Sequence, residues 1–555
     1  MKKTWISVMC IGISIMLGGC SVVKHDLART GEELVRRLAE ASNQNVPGDA
    51  GNNMKTEPDA LCEPVFAEEY EAWDMAAGYA FEGDVFIPDW NTEEYKYVGE
   101  NGWMTPAGQP FSTFAADVDT ASYANVRRML LEGRQVPADA VRIEEMINYF
   151  DYDYPAPKDG EDFSVSARIA PCPWNKDTKL LRIGLKAREE EAGQKAPSNL
   201  VFLIDVSGSM DEYNKLPLVQ RAFRLLINEL GEEDTVSIVT YASSDTVVLD
   251  GASGSEKTLI CDAVEDLSAN GGTNGSQGII TAYELAQKHF IEGGINRVLL
   301  ATDGDLNIGM TDEGSLTRLI EEEAKSGVFL SVLGFGEGNI SDVNMEALSD
   351  HGNGNYSYID NITEARKVLL NEAGGTLVTV AKDVKLQVEF NPRKVNGYRL
   401  IGYENRTMSA EDFSDDEKDG GELGSGHTVT ALYEIIPVGS EMELDGPQRK
   451  YGSGEKEPLS DPSDSEWATV GIRHKQPDGD VSSLTEFVIG DEDVFDEMDD
   501  DMSWAAGVAQ AGMILSESEY AGTTDITEVR DRLDDLTGND EFREEFVYLL
   551  GRIGR

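Results

Sequence analysis

The chain has 555 residues, 40% of them apolar, enough for two to four domains with real hydrophobic cores and no dependence on disulfide staples. Its 103 acidic residues against 47 basic ones give a formal net charge of −56. A surface of that sign repels phosphate backbones and anionic headgroups, so nucleic acid is excluded as a partner, while an affinity for cations would need a specific site to support it.

At the start of the chain, Lys2 and Lys3 precede an uncharged run from 5 to 17 and the tetrad Leu17-Gly18-Gly19-Cys20. A positive n-region, a short apolar h-region and small residues before a cut describe a secretory signal, and the run is too short to span a bilayer comfortably. LGGC resembles the lipobox of bacterial lipoproteins. That resemblance implies cleavage after residue 19, lipidation of Cys20, and attachment to the extracytoplasmic side of a membrane in a bacterial cell envelope, where two acyl chains hold firmly. Residues 20–90, rich in Ala, Glu, Asn, Gly and Asp, read as a flexible tether. Cys62, Cys172 and Cys261 then remain, odd in number and widely spaced, and suggest neither a disulfide framework nor a zinc site.

Helical patterns follow at 121–132 and 139–150, then strand-like alternation at 163–170 and 179–187. Asp117 and Asp119 echo a metal motif but read as a strand end capping the next helix. From 198 to 372, continuous apolar runs at 200–204, 236–241, 298–301 and 328–335 alternate with helix-period segments at 215–230, 257–267, 276–291 and 315–326. Such runs suit strands buried on both faces, and the β-α-β order predicts a doubly wound parallel sheet whose ligands bind at the strands' carboxyl ends. The polar residues gather at that edge. The first strand ends in Asp205-Val206-Ser207-Gly208-Ser209, another in Thr302-Asp303-Gly304, and the loop before a helix reads Gly271-Gly272-Thr273.

Motif by motif and in chain order, these segments resemble the metal-ion-dependent adhesion site of the von Willebrand factor type A (VWA) family. The resemblance implies an α/β, Rossmann-like domain in which Ser207 and Ser209 ligate a divalent cation directly. Thr273, Asp205 and Asp303 would do so directly or through water. Mg²⁺ is the expected ion, with Mn²⁺ and Ca²⁺ as alternatives, because hard cations take oxygen ligands, at about 2.0–2.1 Å for Mg²⁺. An open coordination position would accept an acidic side chain from a protein partner. Over a screening length of about 8 Å the net charge is confined, whereas the ion acts at contact distance.

Strand-like segments resume at 384–390, 398–403, 428–436, 466–474 and 482–488, and helices at 502–517, 525–536 and 540–552, the last group beginning after the acidic run Asp499-Asp500-Asp501. Strands on both sides of 198–372 predict a β-sandwich into which the VWA domain is inserted. Residues 91–156 and 383–437 resemble the flanking region and companion domain of a bacterial group of these proteins. The expected plan is therefore a signal (1–19), a tether (20–90), an N-terminal flank (91–197), the metal domain (198–372), a companion sandwich (373–490) and a C-terminal helical region (491–555). No catalytic residues are expected: the five histidines stand far apart and neither HExxH nor GxSxG occurs. The resulting expectation is a lipid-anchored adhesion or envelope-interaction protein. An assembly factor docking a partner complex through the same metal is the alternative, and a hydrolase the remote one.

Overall fold

The computed structural model describes residues 93–553, apart from 97, 117–118, 190–195, 274, 305–312, 339, 372–377, 417, 419, 443, 445–463, 478 and 480. The expected signal, Cys20, the tether and Asp117 lie outside the described residues. Among those described, no helix is long and apolar enough to cross a membrane.

The chain enters through β1 (Phe111–Ala115), α1 (Ala121–Leu131), α2 (Ile143–Asn148), β2 (Phe163–Pro171) and β3 (Lys179–Ala187). It then crosses into the α/β domain: β4 (Ser198–Asp205), α3 (Leu216–Glu229), β5 (Thr235–Tyr241), β6 (Asp245–Ser253), α4 (Lys257–Glu265), α5 (Gly275–Lys288), β7 (Ile295–Thr302), α6 (Glu313–Lys325), β8 (Phe329–Phe335), α7 (Asp342–His351), β9 (Tyr356–Ile359) and α8 (Ile362–Arg366). The sheet order is β6-β5-β4-β7-β8-β9, with every pair parallel except β5 and β6. The pattern of β4 shows why its apolar run is continuous. Leu200, Phe202 and Ile204 enter a core shared with α3, α4 and α8, while Val201 and Leu203 enter the opposite core with α5 and α7. Strands covered on both faces have no polar alternate positions to spare, and the doubly wound expectation holds.

The chain returns through β10 (Thr379–Phe390), β11 (Val395–Ile401), β12 (Thr407–Met408), β13 (Gly421–Gly424), β14 (Thr428–Pro437), β15 (Glu466–Lys475) and β16 (Ser483–Gly490), and ends in α9 (Asp500–Leu515), α10 (Ile526–Asp534) and α11 (Glu541–Leu550). Two antiparallel sheets result, β12-β1-β10-β15-β16 with β13 beside β10, and β11-β14-β3-β2. Their inner faces meet in one core that includes Phe114, Ile183, Leu185, Val388, Phe390 and Tyr433. Each sheet draws strands from before and after the α/β domain, so that domain is an insertion in a sandwich.

Buried ion pairs fasten the insertion to its surroundings. Arg127 on α1 bonds Asp360 and Glu364 at 2.9 Å and the Tyr149 hydroxyl at 2.8 Å, and Arg142 bonds Asp342 and Glu346 at 2.9 Å. Asp119, expected to cap α1, does something else: it accepts the Tyr356 backbone N–H at 2.9 Å and pairs with Arg406 at 3.3 Å. The N-cap residue is Thr120, without a side-chain cap bond, because α1 is held by tertiary contacts on its buried face. Asp499 does cap, accepting the Met502 N–H at 2.8 Å. Cys261 is disulfide-bonded and Cys172 is a buried free thiol. Cysteine spacing had not suggested that bond, since separation along the chain does not say which segments meet.

Candidate metal centre

Three loops meet at the carboxyl end of the α/β sheet. β4 delivers Asp205, the turn after it carries Ser207 and Ser209, and the neighbouring β7, in register with β4 as far as Ile204 opposite Ala301, delivers Asp303 just past its end. The Ser207 N–H donates to Asp205 Oδ1 at 2.8 Å, and the Ser207 and Ser209 hydroxyls lie 2.9 Å apart. The third loop is clasped to the first: the Gly208 N–H donates to the Gly271 carbonyl at 3.0 Å, and Asn270 N–H to the Val206 carbonyl at 2.7 Å. Gly271 holds φ +88°, and a Cβ there would stand 2.9 Å from Ser243 Oγ, so this clasp needs glycine. Thr273 follows two residues on, half-buried. Gly304, at φ +95°, turns the chain sharply after Asp303 and donates to Thr302 Oγ1 at 3.2 Å.

Asp205, Ser207 and Asp303 are buried, and Ser209 is partly exposed. Burial pushes the Asp205 carboxyl up to about 6, with the charge of Asp303 adding to the effect and the Ser207 hydrogen bonds opposing it. The second Asp205 oxygen, Oδ2, is buried with no hydrogen bond of normal geometry, although the Tyr241 hydroxyl stands close enough to act on the carboxyl. An unsatisfied buried carboxylate oxygen costs free energy unless a cation or donor meets it. Beside it stand two hydroxyls and a second carboxylate, a set of hard oxygen donors suited to Mg²⁺, Mn²⁺ or Ca²⁺. Among the described residues no group of three or more His, Cys, Asp and Glu could hold a metal ion. A cation here would depend on the serine and threonine hydroxyls as much as on the two carboxylates.

One further residue belongs to this centre. Lys215, buried at the start of α3, places Nζ 3.1 Å from Asp303 Oδ2. Its stem lies against Gly336, whose φ of +74° and lack of Cβ leave the space. Nothing in the pattern around Lys215 distinguishes it from an ordinary lysine before an apolar helix; only the fold brings it to Asp303.

Fold and site together define a von Willebrand factor type A domain protein. The model for "von Willebrand factor type A domain" matches residues 199–370, that for "von Willebrand factor" residues 89–182, and that for "Uncharacterized protein YfbK, C-terminal" residues 375–554. The YfbK protein of Escherichia coli (strain K12) is 42% identical over 469 residues, covering 83% of this chain and 80% of that one. The chain belongs to the YfbK family. Among solved structures it is similar to a von Willebrand factor type A protein from Catenulispora acidiphila, at 16% identity, 72% and 91% coverage and a TM-score of 0.39. The ArnB paralog VWA2 from Sulfolobus acidocaldarius shows 15% identity, 71% and 97% coverage and a TM-score of 0.33.

Proposed function

We propose that this protein binds a divalent cation, Mg²⁺ foremost, through Asp205, Ser207, Ser209, Thr273 and Asp303, and through it grips an acidic side chain of a protein partner at the bacterial envelope. The observation that carries the reading is Asp205 Oδ2, buried and without a hydrogen bond of normal geometry beside two hydroxyls and a second carboxylate. When bound, the cation supplies an electrophilic contact for an anionic group. The chain's residues do the rest: the Ser207 N–H orients the Asp205 carboxylate and the glycine clasp holds the threonine loop against the serine turn, while Lys215 competes with the cation for the charge of Asp303. Neutral hydroxyls among the ligands leave the ion's charge only partly cancelled, which favours an acidic partner.

The role is binding rather than catalysis. His289 pairs with Asp250, His351 with Glu321 and His474 with Asp162, so each is engaged away from Ser207 and Ser209. Anchorage through a lipidated Cys20 completes the reading. Calorimetry with Mg²⁺ and Mn²⁺ on the wild-type chain and on Asp205→Ala and Ser207→Ala tests the site: unchanged affinity in either variant refutes it. Cys20→Ser releases the protein from the membrane fraction if the anchor is right. Recovery from membranes with and without EDTA separates adhesion from assembly, since a stable multi-subunit complex would favour the scaffolding alternative.

A further inference from the structure

A cleft of about 200 Å³, lined by none of the metal-centre residues, opens between Lys96, Val98 and Glu100, the first turn of α2, the turn after β11 and the end of α9. Its lining carries five carboxyl side chains, Glu100, Asp139, Glu144, Glu404 and Glu517, against two basic ones, Lys96 and Arg142. Glu144 is 3% exposed; its Oε2 lies against Gly402 without a hydrogen bond of normal geometry, and only the backbone N–H groups of Tyr403 and of Glu144 itself act on the carboxylate as donors. Two basic groups whose charge reaches Glu144, Arg142 and Arg406, both bond to other carboxylates: Arg142 to Glu145, Asp342 and Glu346, Arg406 to Asp119, Glu346 and Asp350. Glu404 accepts one long backbone contact, from Asn101 N–H at 3.4 Å. Glu100 bonds the Ser518 hydroxyl and faces Arg399 at 3.6 Å.

We infer that this cleft is a binding site for a primary ammonium group, as carried by a lysine side chain or a free alkylamine. Burying two neighbouring carboxyls, neither of them ion-paired, is unfavourable, and both titrate upward as a result. Glu144 is raised by burial, and Glu404 is pushed up to about 7 by burial and by the charge of Glu144. An ammonium ion relieves both terms, adding positive charge and N–H donors that the Glu144 Oε2 atom lacks. A bare metal ion fits less well, because among the described residues no three carboxyl, imidazole or thiol groups converge closely enough to hold one. The volume also falls below the roughly 300–1,000 Å³ of pockets for drug-sized ligands, which matches a single narrow side chain.

The test is calorimetry on the full chain in EDTA, which silences the metal centre and separates this site from the metal-dependent reading. n-Butylamine and Nα-acetyl-lysine N-methylamide are titrated in turn, with tetramethylammonium as a cation of equal charge and no N–H. Saturable binding of an amine, none of tetramethylammonium, and a loss of about tenfold or more in Glu144→Gln support the site. The tighter of the two amines tells a protein side chain from a free amine. Because Glu144 is buried and its variant could fail to fold, the partly exposed Glu404→Gln serves as the second variant, with the same loss expected. The inference is overturned if neither amine saturates, if tetramethylammonium binds equally, if a folded variant binds as wild type does, or if Ca²⁺ in excess of the EDTA displaces the amine.

Discussion

Lys215 places a cation against Asp303, a carboxylate of the proposed metal site, and if that proposal holds, replacing it by methionine should make the chain depend more heavily on metal. At the 3.1 Å separation of Nζ and Asp303 Oδ2, Coulomb's law with an effective dielectric near 20 gives a gross attraction of about 5 kcal/mol. Most of that offsets the desolvation of the two groups, yet removing one member of a buried pair still costs on the order of 3–5 kcal/mol, because the other charge is left behind. A divalent cation beside Asp303 can recover part of that cost. The Lys215→Met protein should therefore be strongly destabilised in EDTA and substantially restored by saturating Mg²⁺, and its affinity for Mg²⁺ or Mn²⁺ should rise at least about tenfold, the equivalent of 1.4 kcal/mol. Chemical denaturation with and without metal, paired with calorimetry, reads both quantities. Metal affinity equal to or below that of the wild type would refute the reasoning, since Lys215 would then be supporting the ligand geometry rather than competing for its charge.

The raised Asp205 carboxyl gives a pH signature: metal affinity should fall about tenfold per pH unit below about 6, where the proton competes for the ligand. Because the folded-state value lies above the ordinary 3.8, the metal-free protein gains stability from this group only at low pH and loses it as pH rises through about 6; unfolding in EDTA at pH 5 and 7 shows the sign. Gly271→Ala places a Cβ at φ +88° against Ser243 Oγ, costs roughly 1–2 kcal/mol and should weaken metal binding by separating the threonine loop from the serine turn, as calorimetry would register. Arg127→Met strands Asp360 and Glu364, both buried, and should lower stability to urea by about 3–5 kcal/mol without altering the metal ligands.

Much of the α/β domain was legible because its signals are local. An apolar run such as that of β4 can be buried on both faces only in a covered parallel sheet, and α3 repeats its apolar residues at helical spacing behind Pro217. β6 and β9 were not legible. β6 is an antiparallel edge strand with Val247 and Val248 both exposed, so it lacks alternation, and β9 is four residues long. β1, β12 and β13 are likewise short and become strands because β10 and its neighbours supply their hydrogen bonds. Asp119 was misread for a related reason: a carboxylate before a helix looks like a cap from its neighbours in sequence, whereas its partners, Tyr356 and Arg406, are more than two hundred residues away.

What the sequence determined by itself is the set of groups proposed for the cation site, each at chain-local spacing: Asp205, Ser207 and Ser209 within one turn, the Gly271 and Gly272 pair before Thr273, and Asp303 at a strand end. Strand ends and glycine turns aim such residues whatever lies beyond them. Tertiary structure alone decided which charges share a buried volume. Lys215 against Asp303, Arg127 against Asp360, and Glu144 beside Glu404 are pairs between distant segments. Electrostatic energy in a low-dielectric interior depends on separation in space, and separation along the chain does not specify it.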